Sequence, residues 1–349
     1  MKRLTGSAGA TLYLAGIIAG SMVGFSSHAL ADSVPMNETE YREWMKSPEY
    51  ITSNALNTLK WDDFEALAAR LATSDERNQD GEDRWDMILW MIRDYLQRAG
   101  QDGDYQWRTR FEEYSKSMPK SPFAPLMPVL QLQSMAWRAR GDGFASTVPP
   151  EAWQLFHDRL NQAWKLLVQA KPLSSRLQPW YRLSIEVAVA LDCPRAQVVA
   201  LVNEGITKFP DDDALYRAAM RQYAPRWGGN YVAADEFIQA QVSAKTNQRG
   251  EERYARMYWY LDAAGGGEDA FFDESRVRWT RLRDGFGLLI KRYPESKKLP
   301  SVLAAFACRA GDVDTYRRLR NGLDYSEFNA ATPQGMSVET CDEKFIAHL

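Results

Sequence analysis

The chain has 349 residues, with 43 basic and 46 acidic side chains, a formal charge of −3, and an unusual 12 tryptophans and 16 tyrosines. An acidic balance argues against a nucleic-acid partner, because phosphate binding requires a basic surface. Only three histidines and three cysteines occur, and the spacings of zinc-hydrolase, dithiol, serine-hydrolase and P-loop motifs are missing. We therefore expect neither a metal site nor a cofactor.

The first 31 residues have the pattern of a secretory signal peptide. Lys2 and Arg3 precede a small and apolar run over residues 12–25, and Ala29-Leu30-Ala31 stands where a signal peptidase would cut. We predict cleavage after Ala31 and a periplasmic or secreted mature protein without a membrane span. Retention of the run as a membrane anchor is the alternative. Loss of Lys2 and Arg3 with the leader takes the formal charge from −3 to −5.

Apolar residues recur at helical spacing along almost all of the mature chain, and no segment shows the alternation of a strand. Trp61 begins one stripe, with Asp62 and Asp63 where a helix N-terminus favours negative charge. A second stripe ends at Gly100, and others follow over residues 153–167, 254–261, 302–310 and 313–323. We predict an all-α fold, with an N-terminal segment at 32–54, a helical-repeat domain at 55–325 and a tail at 326–349.

Four prolines suggest how the helices are arranged. Pro119, Pro172, Pro210 and Pro294 each follow an apolar-periodic segment, at separations of 53, 38 and 84 residues. The irregular separations exclude a strict tandem array but fit hairpins of about forty residues, stacked in a tetratricopeptide-like right-handed solenoid or compact superhelix. A compact all-helical domain without solenoid curvature is the competing interpretation.

Four segments are more distinctive than helical periodicity requires. They are AWRARGDGFA at 136–145, PWY at 179–181, YAPRWGG at 223–229 and AFACRAGD at 305–312. In this order they resemble the hallmarks of a family of exported bacterial helical-repeat proteins of unknown function, over roughly residues 55–345. The resemblance implies an all-helical, tetratricopeptide-like fold and no assigned activity.

Two of these segments supply the candidate binding residues Arg138, Arg140, Arg226 and Trp227. In the packing interpretation, the first two arginines form the cationic last turn of a helix, and Trp227 fills a gap between hairpins. In the functional alternative, Arg226 and Trp227 present a guanidinium fork and an aromatic plane to a carboxylate-bearing or sugar partner.

Other charged clusters have structural interpretations. Arg276, Arg278, Arg281 and Arg283 form the densest cationic segment, but they alternate with acidic and apolar residues and indicate a solvated helix face rather than an anion site. The acidic run over residues 211–213 follows Pro210 and indicates a helix cap with favourable first-turn charge.

The cysteines allow one disulfide in an oxidising compartment. We predict a bond between Cys308 and Cys341 that ties the C-terminal tail to the last hairpin, with Cys193 left over. Three reduced, buried thiols are the alternative.

These observations favour a non-catalytic scaffold or adaptor that binds a protein or peptide in the cell envelope. The alternative is a peptidoglycan- or glycan-directed protein, either a binding protein or a hydrolase. A hydrolase of this kind needs only a pair of carboxylates, which leaves no compact sequence signature, and the abundant tryptophan and tyrosine could stack on sugars.

Overall fold

The computed structural model describes residues 42–345 except 142, 144, 245–246, 266, 268–270 and 334–335. Within these residues the regular structure is helical, and extended pairing is limited to an isolated bridge between Arg77 and Asp83. The prediction of an all-α fold is therefore confirmed. No helix in the described part is long and apolar enough to span a membrane. The predicted signal peptide lies outside the described residues.

The helices follow one another with short connections. In chain order they are α1 (Pro48–Thr58), α2 (Asp62–Leu71), α3 (Arg84–Ser117), α4 (Met127–Arg140), α5 (Pro150–Ser174), α6 (Gln178–Ala190), α7 (Arg195–Lys208), α8 (Asp213–Met220), α9 (Tyr231–Val242), α10 (Glu251–Gly265), α11 (Phe271–Glu274), α12 (Trp279–Arg292), α13 (Lys298–Ala310), α14 (Val313–Leu319), α15 (Tyr325–Ala330) and α16 (Val338–Phe345). Helix α1 thus begins before the predicted boundary at residue 55, and α16 lies within the predicted tail.

Proline and glycine end several helices where the sequence predicts. Pro119, Pro210 and Pro294 directly follow the C-cap residues of α3, α7 and α12. Pro172 is different, because it lies inside the last turn of α5, which continues to Ser174. Its missing N–H deprives the carbonyl of Val168, four residues earlier, of a donor. Because Val168 is 57% exposed, water can bind that carbonyl instead.

Gly100 interrupts α3 rather than ending it. Its backbone has φ +62° and ψ −162°, so α3 consists of two helical segments that meet at a kink. Glycine adopts this left-handed φ without the penalty that a Cβ would bring.

The helices pack compactly as sequential pairs and also across pairs. Helix α4 contacts α5, α6 contacts α7, α9 contacts α10, and α12 contacts α13. The alternate helices α6, α8 and α10 also contact one another in series. Helices α6 and α10 are therefore covered on several sides, and Tyr181, Tyr254 and Tyr258 on them are fully buried.

Each of the four distinctive segments supplies a side chain that forms a hydrogen bond to a helix elsewhere in the fold. The pairs are Arg138 with Asp104, Trp180 with Leu167, Trp227 with Ala264, and Arg309 with Asp262. Contacts between helices therefore account for at least one residue of every segment.

The predicted disulfide is present at the C-terminal end. Cys308 on α13 and Cys341 on α16 are bonded, with their Cα atoms 6.0 Å apart, and both are buried. Cys193 is a free, partly buried thiol just before α7.

Removing this disulfide is expected to lower the free energy of unfolding by about 4 kcal/mol, because the bond closes a loop between residues 33 positions apart. Urea denaturation of the Cys308→Ala/Cys341→Ala variant measures the loss, and Cys193→Ala is the matched control. Equal midpoints for the two variants would contradict the prediction.

Candidate functional site

An arginine–tryptophan cluster lies where α4 ends and where the chain passes from α8 to α9. We define it by Trp137, Arg140, Arg221, Arg226 and Trp227. The guanidinium carbon of Arg221 is 4.5 Å from the ring centroid of Trp137 and 3.8 Å from that of Trp227. Arg221 therefore lies against two indole rings from distant parts of the chain, at distances typical of cation–π interactions.

The backbone between α8 and α9 positions this arginine. Two single 3-10 turns, Arg221–Tyr223 and Pro225–Trp227, follow α8 directly. Gly228 ends the second turn with φ +81°. A Cβ on Gly229 would lie 2.3 Å from the carbonyl carbon of Tyr223, so only glycine fits there. The glycine pair thus turns the chain tightly back against the first of these turns.

Hydrogen bonds orient the indole and guanidinium groups around Arg221. Trp227 donates its Nε1 hydrogen to the carbonyl oxygen of Ala264, at 2.9 Å, near the end of α10. Arg140 donates from Nη1 to the carbonyl oxygens of Gly141 and Gly143, both at 3.0 Å. Its guanidinium also lies 5.2 Å from the ring of Trp153 on α5. Three helices and two loops therefore converge on the cluster.

Arg221 has neither an ion pair nor a hydrogen bond from its guanidinium to any described residue. Burial lowers the pKa of Arg221 to about 10. The positive charges of Arg140 and Arg226 also lower this pKa, whereas the negative charge of Glu186 raises it. Glu186 is itself paired with two other arginines, Arg93 and Arg182. The N–H donors of Arg221 are thus available to an anionic group from outside the chain.

The structure brings together three of the four candidate binding residues: Arg140, Arg226 and Trp227. Arg138 points elsewhere, because its Nη2 contacts both carboxylate oxygens of Asp104 at 2.6 Å. Its Nη1 also approaches the carbonyl oxygen of Leu96, at 3.4 Å. Arg138 therefore ties α4 to the kinked centre of α3.

Sequence reasoning missed Arg221, the residue at the centre of the cluster. It follows α8 without a glycine or proline beside it, so no local pattern separates it from an ordinary surface arginine. The available signal was its position five residues before Arg226, within one connection rich in arginine and aromatic residues.

A second cluster of polar side chains is buried between the start of α3 and helices α6, α8, α10 and α13. Glu82 lies 3.4 Å from Arg217 and 3.5 Å from Lys298. Burial raises its pKa, but the cations Lys298, Arg217 and Arg256 together lower the pKa to about 2. Glu82 is therefore an ionised carboxylate that forms ion pairs with α8 and α13.

Asp83 and Asp212 are the described carboxyl groups whose pKa is raised. Burial raises the pKa of Asp212 to about 7, and the negative charge of Asp83 adds to the effect. Burial likewise raises the pKa of Asp83. Both side chains accept backbone hydrogen bonds at helix starts, from Trp85 and Ala214. The acidic run before α8 is thus a helix cap, as predicted, and in addition part of a coupled carboxyl pair.

Comparison with protein-family models, curated protein sequences and solved structures found no significant match to this chain. The fold and the site define it as an all-helical protein with a cationic, aromatic cluster between helix ends.

Proposed function

We propose that this protein is an exported, non-catalytic scaffold or adaptor that binds an acidic segment of another polypeptide in the cell envelope. The observation that carries the proposal is Arg221, held against Trp137 and Trp227 without an acidic partner among the described residues.

The chemistry of the cluster suits carboxylates. A guanidinium group donates two parallel hydrogen bonds to a carboxylate, and stacking on indole rings fixes its plane beforehand. A pre-organised arginine loses little side-chain entropy when a partner binds. Because Arg221 has no acidic partner among the described residues, its positive charge attracts an acidic segment.

The helical packing supports a hairpin stack. Alternate helices α6, α8 and α10 contact in series, while each also contacts a neighbour in sequence. Stacks of this tetratricopeptide-like kind form right-handed solenoids with broad surfaces that suit polypeptide partners. The arginine–tryptophan cluster lies between the α4–α5 pair and the connection from α8 to α9.

Two observations support export. The N-terminal 31 residues have the pattern of a cleaved leader. The buried disulfide between Cys308 and Cys341 is typical of proteins that fold in an oxidising compartment such as the periplasm.

A peptidoglycan- or glycan-binding protein is the second candidate. The partly exposed ring of Trp153, stacked on His157 at 5.6 Å, offers an aromatic plane next to the cluster. Cleavage has less support than binding, because Asp83 and Asp212 are only 5% and 2% exposed, and a glycan could not reach them in this conformation.

The test compares Arg221→Ala, Arg226→Ala and Trp227→Ala with the wild-type protein. Binding partners are recovered from envelope fractions, and the bound segment is then titrated as a synthetic peptide by calorimetry. We expect each variant to bind about tenfold more weakly, since central arginine and tryptophan contacts carry much of the binding energy. Wild-type affinity is expected to fall as salt rises.

Arg110→Ala is the matched control, because Arg110 lies 4.9 Å from the ring of Trp107, outside the cluster. Circular dichroism establishes that each variant is folded, which matters for Trp227 because it also donates to Ala264. Unchanged affinity in folded variants would refute the proposed site. Saturable binding of soluble peptidoglycan fragments, lost in the same variants, would favour the second candidate.

A further inference from the structure

A polar cleft of about 540 Å³ is lined by Asp235 and Gln239 of α9 and by Arg276, Arg278 and Arg281 at the start of α12. Its volume lies in the range of small-molecule sites. It shares no lining residue with the arginine–tryptophan cluster and is therefore separate from the site of the proposed function.

One side of the cleft carries uncompensated positive charge. Arg276 and Arg278 are exposed, and neither forms an ion pair with a described residue. Arg281 differs, because its Nε and Nη2 each donate to the carboxylate of Glu251 at 2.9 Å. The cleft therefore keeps two guanidinium groups that are available to a ligand anion.

The backbone adds to this positive potential and fixes its position. Arg278 donates its N–H to the hydroxyl oxygen of Tyr254 at 2.8 Å, which anchors the segment before α12. Helix α12 starts immediately after Arg278, and no side chain of a described residue caps its N-terminus. The positive end of the helix dipole thus lies among the arginines that line the cleft.

The α9 side of the cleft carries a carboxylate with one oxygen to spare. Oδ1 of Asp235 accepts from the hydroxyl of Tyr258 and from Nε2 of Gln239, the latter at 3.1 Å. Gln239 in turn accepts from Nη1 of Arg281 at 3.2 Å. Oδ2 of Asp235 has no partner among the described residues, so it can accept a hydrogen bond from a ligand N–H or O–H.

We propose that this cleft binds a small zwitterion of the amino-acid class. Its carboxylate groups contact Arg276 and Arg278, and its ammonium group donates to Asp235. A simple anion satisfies only the arginines and places negative charge beside Asp235, whereas a zwitterion satisfies both sides of the cleft.

The test titrates the full chain by calorimetry with L-glutamate, N-acetyl-L-glutamate and inorganic phosphate. We expect saturable glutamate binding that is at least fivefold tighter than binding of the other two ligands. Arg276→Gln and Arg278→Gln should each weaken glutamate binding at least fivefold. Arg318→Gln is the matched control, because Arg318 is an exposed arginine of α14 without a partner among the described residues.

Asp235→Asn decides the role of the carboxylate. It keeps an acceptor for Tyr258, and it should reduce the preference for glutamate over N-acetyl-L-glutamate to less than twofold. If phosphate binds as tightly as glutamate and Asp235→Asn strengthens both, the cleft is a general anion site and the proposal is wrong. Saturable binding of none of the three ligands at millimolar concentration would also overturn it.

Discussion

Replacing Arg256 with methionine is expected to lower the free energy of unfolding by about 3–5 kcal/mol, the usual effect of removing one partner from a buried ion pair. Arg256 is 2% exposed, and its Nε lies 3.1 Å from the carboxylate of Asp213. Its Nη2 also donates to the carbonyl oxygen of Asp80 at 2.5 Å. Methionine fills a similar volume but leaves Asp213 buried without its counter-charge. Urea denaturation followed by circular dichroism measures the difference.

Two further variants separate the loss of charge pairing from the loss of packing. The double variant Arg256→Met/Asp213→Asn should be more stable than Arg256→Met alone, because it no longer buries an unpaired carboxylate. Lys46→Met removes a pair with Glu43 whose side chains are 69% and 67% exposed, and it should change stability by less than about 1 kcal/mol. Equal effects of Arg256→Met and Lys46→Met would contradict the prediction.

Replacing Asp212 with asparagine is expected to stabilise the protein at pH 8 by about 1–3 kcal/mol. Burial, together with the negative charge of Asp83, raises the pKa of Asp212 to about 7, so its ionised form is unfavourable in the folded state. Asparagine carries no charge and is an equally good N-cap. It can therefore keep the hydrogen bond from the N–H of Ala214. Urea denaturation of both proteins at pH 8 gives the comparison.

The same groups predict the pH dependence of the wild-type protein. Because the pKa of Asp212 is higher in the folded state, its contribution to stability is complete below about pH 4 and is lost as pH rises through 7. Burial raises the pKa of Glu82 and Glu186, but nearby cations lower both to about 2. Their contributions are present above about pH 4.5 and are lost as pH falls towards 2.

We therefore expect stability to be greatest in mildly acidic solution and to fall on both sides. Asp212→Asn should reduce the fall between pH 4 and 8 and leave the acid side unchanged. Denaturation midpoints measured from pH 2.5 to 8.5 check both parts. If Asp212→Asn is less stable than the wild-type protein at pH 8, the folded state does not disfavour the ionised carboxyl of Asp212 and the prediction is wrong.

Local sequence patterns predicted several helices and some of their ends. Asp62 and Asp63 start α2, Gly265 ends α10, and Gly311 in the left-handed region caps α13. These signals work because charge at a helix N-terminus and positive φ at a glycine act within one turn. Pro172 was predicted to follow the end of a helix, but it lies inside the last turn of α5. A local pattern cannot reveal that this exposed turn tolerates the loss of one hydrogen bond.

Two local motifs meet in space at the arginine–tryptophan cluster. The segments that contain Arg140 and Arg226 were singled out separately as candidate binding residues, and the fold places them together. Arg138, from the same segment, faces Asp104 instead. Residues two positions apart on a helix differ by about 200° around its axis, so Arg138 and Arg140 point to different surroundings.

By itself, the sequence determined the all-helical class, the candidate disulfide pair, several helix ends and the leader-like pattern of the N-terminus, because each is encoded by residues close together or by cysteine count. Only the tertiary structure decided that Arg221 lies against Trp137 and Trp227, that Asp83 is coupled to Asp212, and that Arg276 and Arg278 face Asp235 across a cleft. Each arrangement joins segments that are about 40 to 130 residues apart. Packing between helices sets such distances, and packing depends on shape over the whole chain rather than on any local pattern.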